Sequence, residues 1–175
     1  TRIFIHPRAA VIEDDDIRFE QDINSSVSKI ASTQSGVGEA LSRKIMRKAK
    51  LACDVSNLQS YIKEIDLMNL MDMGCTVLME TSQGFDLGIN YGFAYPYCTS
   101  RDVTVSTAMA DAGVHPSYLG KVMMSIRTYP IRVGHLYDND GNIIGNSGPF
   151  YPDSTELTWK ELGEEPEKTT VTKKT

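Results

Sequence analysis

The run Cys75-Thr76-Val77-Leu78-Met79 constrains this chain most. It is short, apolar and β-prone, and it is bounded by Gly74 on one side and by Glu80-Thr81-Ser82-Gln83-Gly84 on the other. Such a run predicts a buried strand. The polar, glycine-ended loop then falls at the strand's C-terminal end, where open α/β sheets bind their ligands. Helical patterns lie on both sides of the run, so the expectation is an α/β protein with a central, mostly parallel sheet, flanking helices and a helical insertion.

Composition narrows the function. The formal net charge is −5, so a general affinity for nucleic acid or an anionic membrane is not expected, and any phosphate must be held by a local site. No apolar run is long enough to span a bilayer. Cys53, Cys75 and Cys98 are odd in number and match no zinc or disulfide spacing, which favours a reducing, cytoplasmic setting. Asp138 and Asp140 lack the third ligand and the terminal glutamate of a calcium loop, so no metal-binding residue is assigned.

The chain is expected to open on the end of a strand at Arg2–His6. Asp14-Asp15-Asp16, read as a solvated helix start, should begin a helix reaching about Ile30. Further helices are expected over Glu39–Lys50, Asn57–Met71, Thr104–Ala112 and Pro116–Ile126, with His115 as a helix-start residue. Arg43, Lys44, Arg47 and Lys48 should gather charge on one side of the Glu39–Lys50 helix. Asn139-Asp140-Gly141 predicts a hairpin between Tyr129–Tyr137 and Asn142–Ile144. Residues 14–71 thus read as mainly helical, and 72–175 as the ligand-binding part of one domain. Gly36-Val37-Gly38 before a helix is either an ordinary turn or a set of backbone N–H groups for a phosphate. It does not have P-loop spacing.

Four segments carry a family resemblance: Ser32-Thr33-Gln34-Ser35-Gly36-Val37-Gly38, Glu80-Thr81-Ser82-Gln83-Gly84, Tyr95-Pro96-Tyr97-Cys98-Thr99-Ser100 and Pro130-Ile131-Arg132-Val133-Gly134. Together they resemble the adenylosuccinate synthetase family, whose members join L-aspartate to the 6-position of a purine nucleotide at the expense of a nucleoside triphosphate. Tyr95–Asp102, Pro130–Gly134, Tyr151-Pro152-Asp153 and Glu156–Trp159 are similar to its phage-type branch, which acts on dGMP. The family's N-terminal phosphate loop has no match, so the chain reads as an internal portion of such an enzyme. Thr81 and Ser82 stand where the family has Gly-Ala, and Cys98 stands where it has valine.

The resemblance implies a set of roles. Gln83 contacts the purine 6-oxygen and stabilises the charge that develops there. Thr33, with Ser32 beside it in the loop, binds the 5′-phosphate, Thr99 binds the same phosphate, the Leu87 backbone lies near the base, and the Val133 backbone touches the ribose. Arg47 reaches the neighbouring subunit of a homodimer to grip that phosphate, a task suited to a guanidinium fork. Mg²⁺ and ATP or GTP are the implied cofactor and cosubstrate. The partners are a purine nucleoside monophosphate, L-aspartate and the triphosphate, in the cytoplasm of a host if the protein is phage-encoded. The competing expectations are a conventional enzyme using IMP, a nucleotide-binding relative without chemistry, and a dimerisation domain.

Overall fold

The computed structural model describes residues 2–22, 24–25, 28–129 and 134–163. Its elements are four short α-helices, a series of 3-10 turns and one hairpin: α1 (Asp14–Gln21), α2 (Val37–Ile45), α3 (Leu67–Asp72), α4 (Val105–Asp111), β1 (Leu136–Tyr137) and β2 (Ile143–Gly145).

Helices α1 and α2 pack together and form the best-buried part. Helix α1 begins where expected, because the Asp16 carboxylate turns back to accept from the Glu13 N–H at 2.8 Å. It stops at Gln21 rather than near Ile30. There the Asp22 carboxylate accepts from the Asn24 N–H at 2.9 Å, a local bond that competes with helix continuation. A 3-10 turn over Ser28–Ile30 follows. Asp14 and Asp15 are solvated as expected, but Asp16 is only 2% exposed and pairs with Arg43.

Helix α2 starts earlier and ends earlier than the sequence pattern predicts. Gly36 precedes it with φ +78°, and a Cβ there would lie 2.8 Å from the Ile12 side chain, so glycine is required on both counts. Its end is closed by two bonds, Arg47 N–H to the Lys44 carbonyl (3.0 Å) and Lys48 N–H to the Arg43 carbonyl (2.8 Å). This is the pattern of a helix terminated by a left-handed residue, here Arg47 at φ +61°.

The single helix expected over Asn57–Met71 is two elements, a 3-10 turn at Ser56–Tyr61 and α3. Long-range pairing overrides the helical period between them: Ile5 N–H donates to the Tyr61 carbonyl (2.8 Å), and Lys63 N–H donates to the Ile5 carbonyl (3.1 Å). That parallel bridge is also all that Arg2–His6 forms of its expected strand. Asp66 then starts α3 by accepting from the Asn69 N–H at 3.0 Å.

Helix α4 matches its expected span, with the Thr104 hydroxyl accepting from the Thr107 N–H at 3.1 Å. The helix predicted over Pro116–Ile126 is reduced to a 3-10 turn at Pro116–Tyr118, started by His115 as expected. Gly120 follows at once, and a glycine disfavours helix continuation. In the hairpin, Asp138 accepts from the N–H groups of Asp140 (2.9 Å) and Asn142 (2.7 Å) and from the Asn142 amide (2.9 Å). The Asn142 bonds hold the Asp138 carboxyl below its ordinary range and use it for the turn. Pro130–Val133, the front of the predicted hairpin strand, lie outside the described residues.

Among the described residues the one sheet is the antiparallel pair β1–β2, so the expected central parallel sheet is not confirmed. Cys75–Met79 has no strand partner, and Leu78 is 79% exposed. An extended segment becomes a strand only when a neighbour takes up its N–H and C=O groups. The buried apolar residues are small or few: Ala31, Ala40, Ala52, Met109 and Val114.

Candidate functional site

A cleft of about 250 Å³ lies between α2 and the loops that follow residues 80 and 97; Val37, Lys44, Ser82, Gln83, Thr99 and Arg101 are among its walls. A neighbouring hollow of about 330 Å³ shares Lys44 and Arg101 and adds Thr107 and Asp111. The structure therefore brings Gln83 and Thr99, distant in sequence, to one cavity.

Gln83 sits there with φ +79°, a left-handed backbone rarely adopted by a residue with a side chain. Strain of that kind tends to collect at functional sites. Thr99 is placed by its backbone, whose N–H donates to the Leu87 carbonyl at 2.7 Å. Two residues further along each strand of this loop pair, Ile89 N–H donates to the Arg101 carbonyl at 3.2 Å. Asp102 accepts from the Asn90 N–H (3.0 Å) and from its side-chain amide (2.6 Å). Leu87 is thus tied to Thr99 through the main chain but is not a wall of the cleft.

Ser32 and Thr33 stand apart from the cleft walls. The Ser32 hydroxyl accepts from the Gln34 N–H at 3.2 Å, and the Thr33 hydroxyl lies 3.1 Å from that of Ser35. Arg47 is exposed and lies beyond the end of α2. Val133 falls outside the described residues.

The helix N-terminus at Gly36-Val37-Gly38 is not open to a phosphate. The buried Glu20 carboxylate fills it, accepting from the N–H groups of Gly36 (2.7 Å), Gly38 (2.9 Å) and Glu39 (3.2 Å). A negative group belongs at this end of a helix, and here the chain supplies its own. Nothing in the sequence spacing marks Glu20 for this role, since it comes from the preceding helix.

The four basic residues around α2 do not share one side. Arg43 turns inward and makes two 2.6 Å bonds to the Asp16 carboxylate and one of 2.8 Å to Glu13. Burial alone would push the Asp16 carboxyl up; the Arg43 bonds and the Glu13 N–H outweigh it and leave the group below its ordinary value. Lys44 faces the cleft, while Arg47 and Lys48 follow the helix end.

Arg101 was not a sequence candidate, nor was its partner Asp111, with which it forms an ion pair. The signal available was an acid at the last position of a helix, where the dipole disfavours it. Burial raises the thiol of Cys98 above its usual range, which leaves it a packing group beside Thr99.

Among the described residues no three His, Cys, Asp or Glu side chains converge on a point that would hold a metal. The donors for the implied Mg²⁺ are therefore not found in this set. No helix among the described residues is long and apolar enough to cross a membrane.

Comparison with known proteins bears out the family resemblance. The adenylosuccinate synthetase family model matches residues 56–138. N6-succino-2-amino-2'-deoxyadenylate synthase of Acinetobacter phage SH-Ab 15497 is 34% identical, over 99% of this chain and 52% of its own length. The same enzyme of Vibrio phage phiVC8 is 38% identical, over 98% and 49%. Adenylosuccinate synthetase of Pyrococcus horikoshii is 38% identical, over 76% and 40%. Among solved structures, the succinoaminodeoxyadenylate synthetase of cyanophage S-2L, bound to dGMP and to dATP as an energy donor, superposes with a TM-score of 0.71 at 33% identity, covering 98% of this chain and 49% of that one. The fold is accordingly adenylosuccinate-synthetase-like. The chain spans about half the length of the curated relatives it matches.

Proposed function

We propose that this chain carries the substrate-nucleotide site of a carbon–nitrogen ligase that joins L-aspartate to the 6-position of a purine nucleoside monophosphate, with dGMP the favoured substrate. The observation that carries this reading is the meeting of Gln83, in its left-handed conformation, with Thr99 in one cleft. The phage relatives named for the 2-amino-2'-deoxyadenylate product favour dGMP over IMP. The Pyrococcus relative keeps the IMP-using enzyme as the second reading.

In the proposed reaction a nucleoside triphosphate, ATP or GTP, phosphorylates the purine 6-oxygen as the N1 proton leaves. The aspartate amine then displaces phosphate at that carbon. The Gln83 amide donates to the 6-oxygen, where a fixed donor counts most as charge builds. The Thr99 hydroxyl donates to the 5′-phosphate, and the Leu87 backbone borders the base. Ser32 and Thr33 complete the phosphate loop once substrate is bound, Val133 borders the ribose, and Arg47 enters the site of a second copy in a homodimer. Residues 14–71 supply the helical wall and 72–175 the nucleotide-binding loops. In the whole protein, Cys75–Met79 joins a central sheet with strands from outside this chain. Proton transfer belongs to residues other than those named above. The proposed setting is the cytoplasm.

The test is turnover by the full-length protein with aspartate and ATP, scored against dGMP and IMP, in wild type and Gln83→Ala. The substitution should lower kcat about a hundredfold on dGMP. Absence of turnover on both nucleotides rejects the ligase, and a preference for IMP selects the second reading. A loss below about threefold would remove the charge-stabilising role of Gln83.

A further inference from the structure

The cleft holding Gln83 and Thr99 has an uneven charge. Its polar walls include the neutral Ser82, Gln83, Thr99 and Ser100 and two cations, Lys44 and Arg101, with no carboxylate among them. Counting the Asp111 carboxylate that pairs with Arg101, the cavity and its adjoining hollow keep an excess of one cation in a protein of net charge −5, which acts on anions there and not on the surroundings at large.

Arg101 is held there at both ends. Its carbonyl accepts from the Ile89 N–H at 3.2 Å, within the loop pair that also fixes Thr99. Its guanidinium pairs with Asp111. Asp111 is the last residue of α4, where the helix dipole works against a carboxylate, so its position is explained by the cation it meets. The two side chains are 45% and 52% exposed, and an exposed pair of this kind adds little to stability. What it does supply is orientation. Arginine has five donors in a fixed fork, so the face not engaged by Asp111 remains for a second oxyanion.

Resting on the nucleotide-site reading above, we infer that Arg101 and Lys44 form a clamp for the phosphate monoester of the bound nucleotide, in the same subunit as Thr99, and that Asp111 is the positioning residue that holds the Arg101 fork at the rim. Aspartate carboxylates would be attracted by the same charges. The phosphate is the assigned ligand because Thr99, two residues before Arg101, lines the same cavity.

The experiment uses the full-length protein with Arg101→Gln, Arg101→Lys, Asp111→Asn and the Arg101→Gln/Asp111→Asn pair. Binding of dGMP and of deoxyguanosine is measured by calorimetry, and KM and kcat are measured for dGMP and aspartate. Arg101→Gln should weaken dGMP binding about 10- to 100-fold, the scale for losing bonds to a charged group. Deoxyguanosine binding should stay within about twofold, since it has no phosphate to lose. Arg101→Lys should recover part of the loss but not the bidentate share. Asp111→Asn should raise KM for dGMP with kcat unchanged, and the pair should be no worse than Arg101→Gln alone, because both act through one group. Equal losses for dGMP and deoxyguanosine would overturn the clamp, as would a rise confined to KM for aspartate or additive losses in the pair. Failure of the ligase assay with dGMP binding still sensitive to Arg101 would reject the reaction and retain the clamp. Normal turnover with dGMP binding indifferent to Arg101 would do the reverse.

Discussion

Glu20 offers the sharpest test of the fold. Its buried carboxylate takes the N–H groups of Gly36, Gly38 and Glu39, which otherwise have no partner within α2. Glu20→Ala would leave the Gly36 N–H buried and unpaired, a cost of about 1–3 kcal/mol. The Gly38 and Glu39 groups are only partly buried, so water can serve them. Loss of a negative charge at the helix start adds about 0.3–1 kcal/mol. An overall loss near 2–3 kcal/mol corresponds to a fall in Tm of about 5–10 °C for a chain of this size. Glu20→Gln keeps one acceptor oxygen and should fall about half as far. The distinctive expectation concerns sulfate. Removing the internal anion opens a helix N-terminus that suits an external one, so sulfate should raise the Tm of Glu20→Ala by several degrees more than that of the wild type. The assay is thermal unfolding followed by circular dichroism, in chloride and in sulfate at matched ionic strength. A Tm change under about 1 °C, or equal stabilisation of both proteins by sulfate, would refute the capping role.

Asp16→Asn should destabilise the protein at neutral pH and converge with the wild type in acid. The folded-state pKa of Asp16 is lowered, so its stabilisation is present above the unfolded value near 3.8 and is lost as pH falls through the folded value; urea midpoints between pH 7 and pH 2 report this. Arg47→Gly should leave Tm unchanged or raise it by about 1–4 °C, since glycine accepts φ +61° without strain, yet should raise KM for the nucleotide if the guanidinium serves the partner site. Thr99→Val should raise KM for the nucleotide by about tenfold or more and leave kcat nearly intact, because the hydroxyl meets a phosphate that does not react. A collapsed kcat at unchanged KM would contradict that placement.

Local signals were legible where the chain supplies its own partners. Thr104, His115 and Asn139-Asp140-Gly141 act over two to four residues: the first and last start the helix and the turn expected of them, while His115 starts only a 3-10 turn in place of a helix. Two helices were shortened by local groups, Asp22 and Gly120, and the other expectations that failed depended on groups far away in sequence. The long helix over 57–71 gave way to pairing with Ile5, and the phosphate-ready glycines were already taken by Glu20. Cys75–Met79 has a strand's composition, but composition cannot provide the neighbour that makes it one. The site divides in the same way. Gln83 and Thr99 were readable from their motifs and meet in the cleft. Arg101 and Asp111 show only as a geometric relation between a loop and a helix end.

The backbone bond between Thr99 and Leu87 sets a length. Under the proposed roles, one of these residues meets the phosphate of the nucleotide and the other lies near its base. Their main chains are joined at 2.7 Å, with Asn90 and Asp102 bracing the same pair of loops. The span between the two ends of a bound nucleotide is then gauged by the protein and not by the ligand. Under those roles, separating the loops to admit a longer nucleotide would break the Thr99–Leu87 bond and the bonds between Asn90 and Asp102. Selection against a longer nucleotide would then draw on hydrogen bonds that touch no substrate.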